Sequence, residues 1–141
     1  MKTLVMLFAL LVPVLSFGQE TEWTLHQEKN GVMIYQMDKD WVDPSEGINQ
    51  EMTLLKVVNT TEQTLTIEWY DVRWYNDQCV NCQHYEDPEY KHSLTLSPGE
   101  SLEGKCSFES PNGLSLFKKF NERESKTLTK FELRELSVNP S

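Results

Sequence analysis

Several stretches of this chain alternate apolar and polar residues with a repeat of two, the signature of strands with one buried face. Leu65, Ile67 and Trp69 alternate with Thr66 and Glu68 in the clearest case. Met52 to Val58 predicts a strand before it, with Asn59-Thr60-Thr61-Glu62-Gln63 as the polar turn between them. Near the start, Trp23-Thr24-Leu25 and Val32-Met33-Ile34-Tyr35-Gln36-Met37 flank Asn30-Gly31. Both turn residues tolerate positive φ, so a tight turn and a first hairpin follow. Asp38 to Gly47 carries four acids, Pro44 and Gly47, and predicts a loop.

Further along, Leu94 and Leu96 lead into Pro98-Gly99, which suits the centre of a type II turn. Leu102, Gly104, Cys106 and Phe108 then share one face of a returning strand, making a second hairpin in which 91–96 lie opposite 106–101. Leu114, Phe117 and Phe120 recur at helical spacing and predict a short helix from Leu114 to Glu124. Thr127 to Val138 is a final strand. Phe131 and Leu133 differ in parity from Leu136 and Val138, so a bulge between the pairs is expected.

Together these elements predict an all-β fold, an antiparallel immunoglobulin-like β-sandwich of about seven strands with one short helix. The segments Val57-Val58-Asn59-Thr60-Thr61, Leu65-Thr66-Ile67-Glu68-Trp69 and Leu96-Ser97-Pro98-Gly99-Glu100 resemble those of bacterial secreted immunoglobulin-like and fibronectin-like domains. The resemblance implies the sandwich and no particular activity. No Cys precedes Trp69, so the paired cysteines that flank the immunoglobulin Trp are absent. Trp23 to Tyr35 is loosely similar to the first hairpin of START-type lipid-binding folds, but the long C-terminal helix of those folds has no counterpart here.

The N-terminus sets the expected compartment. Lys2, the apolar run Leu4 to Leu15 and the small-residue exit Ser16-Phe17-Gly18 have the layout of a secretory signal peptide over 1–18. The run is shorter than the roughly 20 apolar residues a spanning helix needs. A single domain over 19–141, secreted or periplasmic and without a transmembrane segment, is the expectation. The formal charge of −9 becomes −10 without Lys2, with 12 basic against 22 acidic residues. Such a surface repels phosphate backbones, so nucleic acid is not an expected partner.

Chemistry could sit in three places. Cys79-Val80-Asn81-Cys82 and Cys106 permit three single pairings. The predicted second hairpin brings Cys106 near Lys91, which favours a Cys82–Cys106 or Cys79–Cys106 bridge in an oxidising compartment. A redox role for the C-x-x-C, or metal held by Cys79, Cys82 and His84 with His92 nearby in sequence, are the sharper alternatives. The aromatic run Trp69-Tyr70-Asp71-Val72-Arg73-Trp74-Tyr75 is the second place. Tyr70 and Trp74 should face away from the core and could stack on a sugar, with Asp71 and Arg73 beside them for its hydroxyls, although aromatics that fill the core or an adjoining loop are the simpler reading. Third, Asp38, Asp40 and Asp43 could offer oxygens to Ca²⁺, although the EF-hand pattern is absent and a solvated acidic loop is the simpler reading.

His26, His84 and His92 occur in no catalytic motif. Asn59-Thr60-Thr61 matches a glycosylation sequon. The reading is therefore a non-enzymatic binding or cell-envelope module with a glycan or protein partner and no cofactor. A thiol- or metal-handling envelope protein is the alternative.

Overall fold

A computed structural model describes residues 22–111 and 113–141. The expected signal peptide lies outside them. The described chain is all-β, with nine strands in two antiparallel sheets and two single 3₁₀ turns, at Pro44–Glu46 and Pro88–Tyr90. Among the described residues no helix is long and apolar enough to cross a membrane.

The first sheet contains β1 (Thr24–Lys29), β2 (Val32–Asp43), β3 (Ile48–Asn59), β7 (Ser101–Glu103) and β8 (Ser115–Phe120). The second contains β4 (Leu65–Tyr75), β5 (Gln78–Cys79), β6 (Lys91–Leu96) and β9 (Leu128–Pro140). The two have a common plan. A long strand, β3 or β4, is paired along one edge by a single strand, while two short strands share its other edge. Val32, Ile34, Leu55 and Val57 from the first sheet meet Leu65, Ile67, Trp69, Leu96, Leu133 and Leu136 from the second in one core. The sandwich-like arrangement thus follows from period-two burial on β2, β3, β4 and β6.

The Asn30-Gly31 turn forms as expected, with φ of +48° and +83°. The acidic stretch does not form a loop. β2 runs on to Asp43 and pairs residue by residue with β3, from Val32 opposite Asn59 to Asp43 opposite Ile48. Low strand propensity of Asp is overridden by cross-strand partners. Asp38 accepts a hydrogen bond from Thr53 Oγ1 at 2.8 Å, and Lys118 pairs with both Asp38 and Glu51.

The helix predicted from Leu114 is strand β8. Its ladder with β3 skips a residue, because Glu51 lies opposite Lys119 and Met52 opposite Phe117. The bulge at Lys118 puts Phe117 and Phe120 on the same side, their rings 4.8 Å apart. A bulged strand thus reproduced the spacing of a helix. In β9 the expected bulge is present. Glu68 pairs with Ser137 and Tyr70 with Arg134, Glu135 has φ +55°, and Leu133 and Leu136 both reach the core.

The Pro98-Gly99 turn also forms, with Gly99 at φ +72° and a Glu100 N–H to Ser97 C=O bond of 3.0 Å. It joins no hairpin. β6 pairs with β4 and β7 with β3, so the turn carries the chain from one sheet to the other. Leu94 and Leu102 pack against the core as expected, but β7 stops at Glu103 and Phe108 stands 80% exposed.

Where β7 gives way to β8, Leu55 bonds both backbones. It donates to Leu114 C=O at 2.9 Å and accepts from Gly104 N–H at 2.8 Å. A Cβ on Gly104 would lie 1.9 Å from the Leu114 carbonyl oxygen. Gly104→Ala is expected to cost about 1–3 kcal/mol by overpacking, read as a lower urea midpoint with unchanged m-value.

Candidate functional site

Continuing the alternation of β4 beyond Trp69 puts Asp71, Arg73 and Tyr75 on the core-facing side. There they line an open cleft of ≈ 480 Å³ with Val80, Asn81, Glu89, Tyr90, His92, Gly113 and Ser115. β4 therefore has an apolar half that makes core and a polar half that makes the cleft.

Asp71, 6% exposed, is the fixed point of this cleft. Arg73 donates to its Oδ2 from Nε at 2.8 Å and from Nη2 at 2.6 Å. His92, opposite Trp69 on β6, places Nε2 3.9 Å from the same oxygen. Burial pushes the Asp71 carboxyl up, but His92 and Arg73 outweigh it and hold the carboxyl below its ordinary value. The His92 ring lies 5.5 Å from that of Trp69. A Cβ on Gly113 would meet the imidazole within 2.6–2.8 Å, so glycine lets the backbone cover it. His92 is 7% exposed, and its Nδ1 has no hydrogen-bond partner among the described residues. Buried orphan atoms of this kind are uncommon and call for a partner.

An Asp–His pair invites comparison with a nucleophile relay. Ser115 also lines the cleft, but its hydroxyl bonds Lys105 C=O at 2.9 Å and Ser110 Oγ rather than His92. Tyr75 gives its hydroxyl to Phe117 C=O at 2.6 Å. The arrangement presents donors and acceptors, and among the described residues no nucleophile is hydrogen-bonded to the imidazole.

The cysteines pair differently from expectation. Cys79 is joined to Cys82, and Cys106 is free. Neither Cys82–Cys106 nor Cys79–Cys106 forms, because the hairpin that was to bring them together is a crossover between sheets. Cys106 lies instead near Lys39 and Asp40, where burial pushes its thiol up against the pull of Lys39. With Cys79 and Cys82 joined, neither offers a thiolate beside His84. No group of three or more His, Cys, Asp and Glu placed to hold a metal occurs among the described residues.

The disulfide encloses Asn81, a residue the sequence reading passed over. β6 pairs with β4 as far as Tyr70 and β5 begins at Trp74, leaving the edge at 71–73 without a strand. Asn81 fills that gap with its side chain. Nδ2 donates to Asp71 C=O at 2.7 Å, and Oδ1 accepts from Arg73 N–H at 3.2 Å. Val80 N–H bonds Arg73 C=O at 3.0 Å. The same loop thus braces the backbone under both charged residues.

The three residues expected to bind ligand do not share one face of β4. Tyr70 and Trp74 are half-buried on the opposite face of β4 from Arg73. Their neighbours there are cationic: Lys130 Nζ lies 4.4 Å from the Trp74 ring centre, Lys91 Nζ 6.0 Å from that of Tyr70, and Tyr85 packs edge-on against Tyr70 at 5.7 Å. The cations sit within cation–π distance of these rings. Asp38, Asp40 and Asp43 have separate partners in Lys118, Asn121 and Ser45. His26 stacks on Phe131 at 4.5 Å, and His84 sits beside Tyr90.

The sequon asparagine is a structural pin. Asn59 is fully buried, and its Nδ2 bonds the carbonyls of Gln63, Leu96 and Ser97. No protein-family model matches the chain, and neither the curated proteins nor the solved structures include a match to it.

Proposed function

We propose that the chain is an exported, non-enzymatic, immunoglobulin-like binding module that holds a polyhydroxylated ligand, such as a glycan unit, in the cleft between its sheets. The observation that carries this reading is the Asp71–Arg73–His92 cluster at the cleft floor. A buried carboxylate, a guanidinium and an imidazole line the cleft together with Tyr75 and Tyr90. Sugar hydroxyls both donate and accept, so they match an array holding both kinds of group. Tyrosine rings supply apolar faces for the C–H side of a pyranose. The acidic surface disfavours polyanionic ligands, which narrows the class to neutral or cationic saccharides.

Screening the protein against an array of neutral and amino-sugar oligosaccharides, followed by calorimetry on the tightest binder, tests the reading. Tyr90 is half-buried, on the 3₁₀ turn just before β6. Tyr90→Ala should keep the melting temperature within a few degrees and weaken binding about ten-fold or more, as for a contact worth about 1.4–2 kcal/mol. An array with no binder, or affinity unchanged by Tyr90→Ala, would count against it.

A further inference from the structure

We propose that the Cys79–Cys82 disulfide is a redox-sensitive latch that sets the shape of this cleft, a regulation that rests on the binding role above. Of the cleft residues, Val80 and Asn81 lie inside the disulfide ring. Glu89 and Tyr90 lie at the end of the loop it begins. That loop, 80–90, belongs to no strand. Three successive turns carry it forward, with His84 N–H bonding Asn81 C=O, Asp87 N–H bonding His84 C=O and Tyr90 N–H bonding Asp87 C=O. At its start it is anchored to the edge of β4 by the Asn81 side chain, with Val80 N–H beside it, and further on by Tyr85, which packs against Tyr70 and donates to Glu135 Oε1 at 3.1 Å. The disulfide holds the tetrapeptide in the tight bend that aims Asn81 at the gap in β4.

The bond is within reach of a reductant. Both cysteines are only partly buried, Val80 between them is 52% exposed, and the sulfur-bearing residues line a shallow hollow with Gln83 and His84. A dithiol is the class of reductant required. One of its thiolates attacks a cysteine sulfur, the Cys79–Cys82 bond breaks, and the other cysteine leaves as a thiolate that takes up a proton. The second thiol of the reductant then displaces the first cysteine in the same way. Two electrons pass to the protein, which ends with two thiols, and the reductant closes to a cyclic disulfide. Once open, the tetrapeptide no longer enforces the bend. Asn81 leaves the β4 edge, and the backbone beneath Asp71 and Arg73 loses its brace.

Amide hydrogen exchange tests this without any ligand, in full-length mature protein carrying Cys106→Ser so that no third thiol can exchange. Reduction by dithiothreitol should lower protection at the Arg73 and Val80 amides at least ten-fold, leaving Ile34 and Val57 in the core unchanged. Asn81→Ala should produce the Arg73 loss in the oxidised protein. Unchanged protection at Arg73 on reduction overturns the latch. An equal loss at Ile34 and Val57 overturns it as well, since the disulfide would then staple the whole fold. A failed glycan screen leaves this result readable, and an unchanged Arg73 amide leaves the glycan reading standing.

Discussion

Replacing Asn59 by alanine is expected to destabilise the protein by about 3 kcal/mol. The side chain is completely buried at the end of β3. Its two amide N–H bonds serve three carbonyls, of Gln63, Leu96 and Ser97, at 2.8, 3.1 and 3.1 Å, so that one N–H is shared. Its oxygen accepts from the Thr61 N–H at 2.9 Å and the Thr61 hydroxyl at 2.7 Å. One residue thereby ties the β3–β4 turn to the crossover that follows β6. Alanine would leave several of these groups without partners at about 1 kcal/mol each. Asn59→Asp should be worse at neutral pH. It keeps an acceptor for Thr61 but turns a negative oxygen toward three carbonyl oxygens. Burial raises the folded pKa of the introduced carboxyl above its unfolded value. Its penalty is therefore small at low pH, grows as pH rises past the unfolded pKa, and is complete above the folded one. Urea unfolding of both variants from pH 4 to 8 measures this. Losses below about 1 kcal/mol for alanine, or a pH-independent aspartate variant, would show that Asn59 is not the pin.

The sequence made the core of the sandwich legible and left its ends obscure, for one physical reason. Period-two burial marks a strand only where its inward positions are apolar. Leu65, Ile67 and Trp69 announce β4, and the parity break before Leu136 announces the β9 bulge. Past Trp69 the inward positions are Asp71, Arg73 and Tyr75, while the apolar residues Tyr70, Val72 and Trp74 fall on the other face, so the hydrophobic pattern points away from the cleft. Extending the parity of Leu65, Ile67 and Trp69 turns Tyr70 and Trp74 outward, as expected, and thereby Asp71 and Arg73 inward; the same step back from Leu94 and Leu96 turns His92 inward. The acidic half of β2 was lost in the same way, because Asp38 has its compensating Lys118 on a strand 80 residues away. The crossover at Pro98-Gly99 was beyond reach for another reason. Turn chemistry fixes local geometry, and whether the next strand pairs with its neighbour or joins the other sheet is decided by long-range partners such as Asn59. Asn81 left no sequence trace at all, since a side chain that replaces a missing strand follows no period.

Replacing Arg73 by methionine is expected to cost about 3 kcal/mol at pH 7, and to change how stability depends on pH. In the native protein burial works against the Asp71 carboxylate, but the bonds from His92 and Arg73 overcome it, so the folded pKa lies below the ordinary one. That stabilisation is present above the unfolded pKa of Asp71 and is lost as pH falls through the folded value. Without Arg73 the burial penalty prevails and the folded pKa rises above the unfolded one. The variant then carries its full penalty at neutral pH and recovers as pH falls, so the gap to the native protein narrows on acidification. The other titratable groups that line the cleft with Asp71 and Arg73 are His92 from β6, Tyr75 from β4, and Glu89 and Tyr90. Of these, His92 stays beside the carboxylate when Arg73 is removed, with Nε2 3.9 Å from Oδ2, and so softens the loss. Arg73→Met combined with His92→Gln should therefore show the larger deficit and the steeper recovery. Asp71→Asn with Arg73→Met removes both charges and should cost less than the sum of the two single changes. Chemical denaturation of the four variants at pH 4, 5.5 and 7 gives every comparison. A deficit for Arg73→Met that is the same at all three values would mean that Asp71 does not depend on Arg73 for its charge, and the cleft floor would have to be read without that pair.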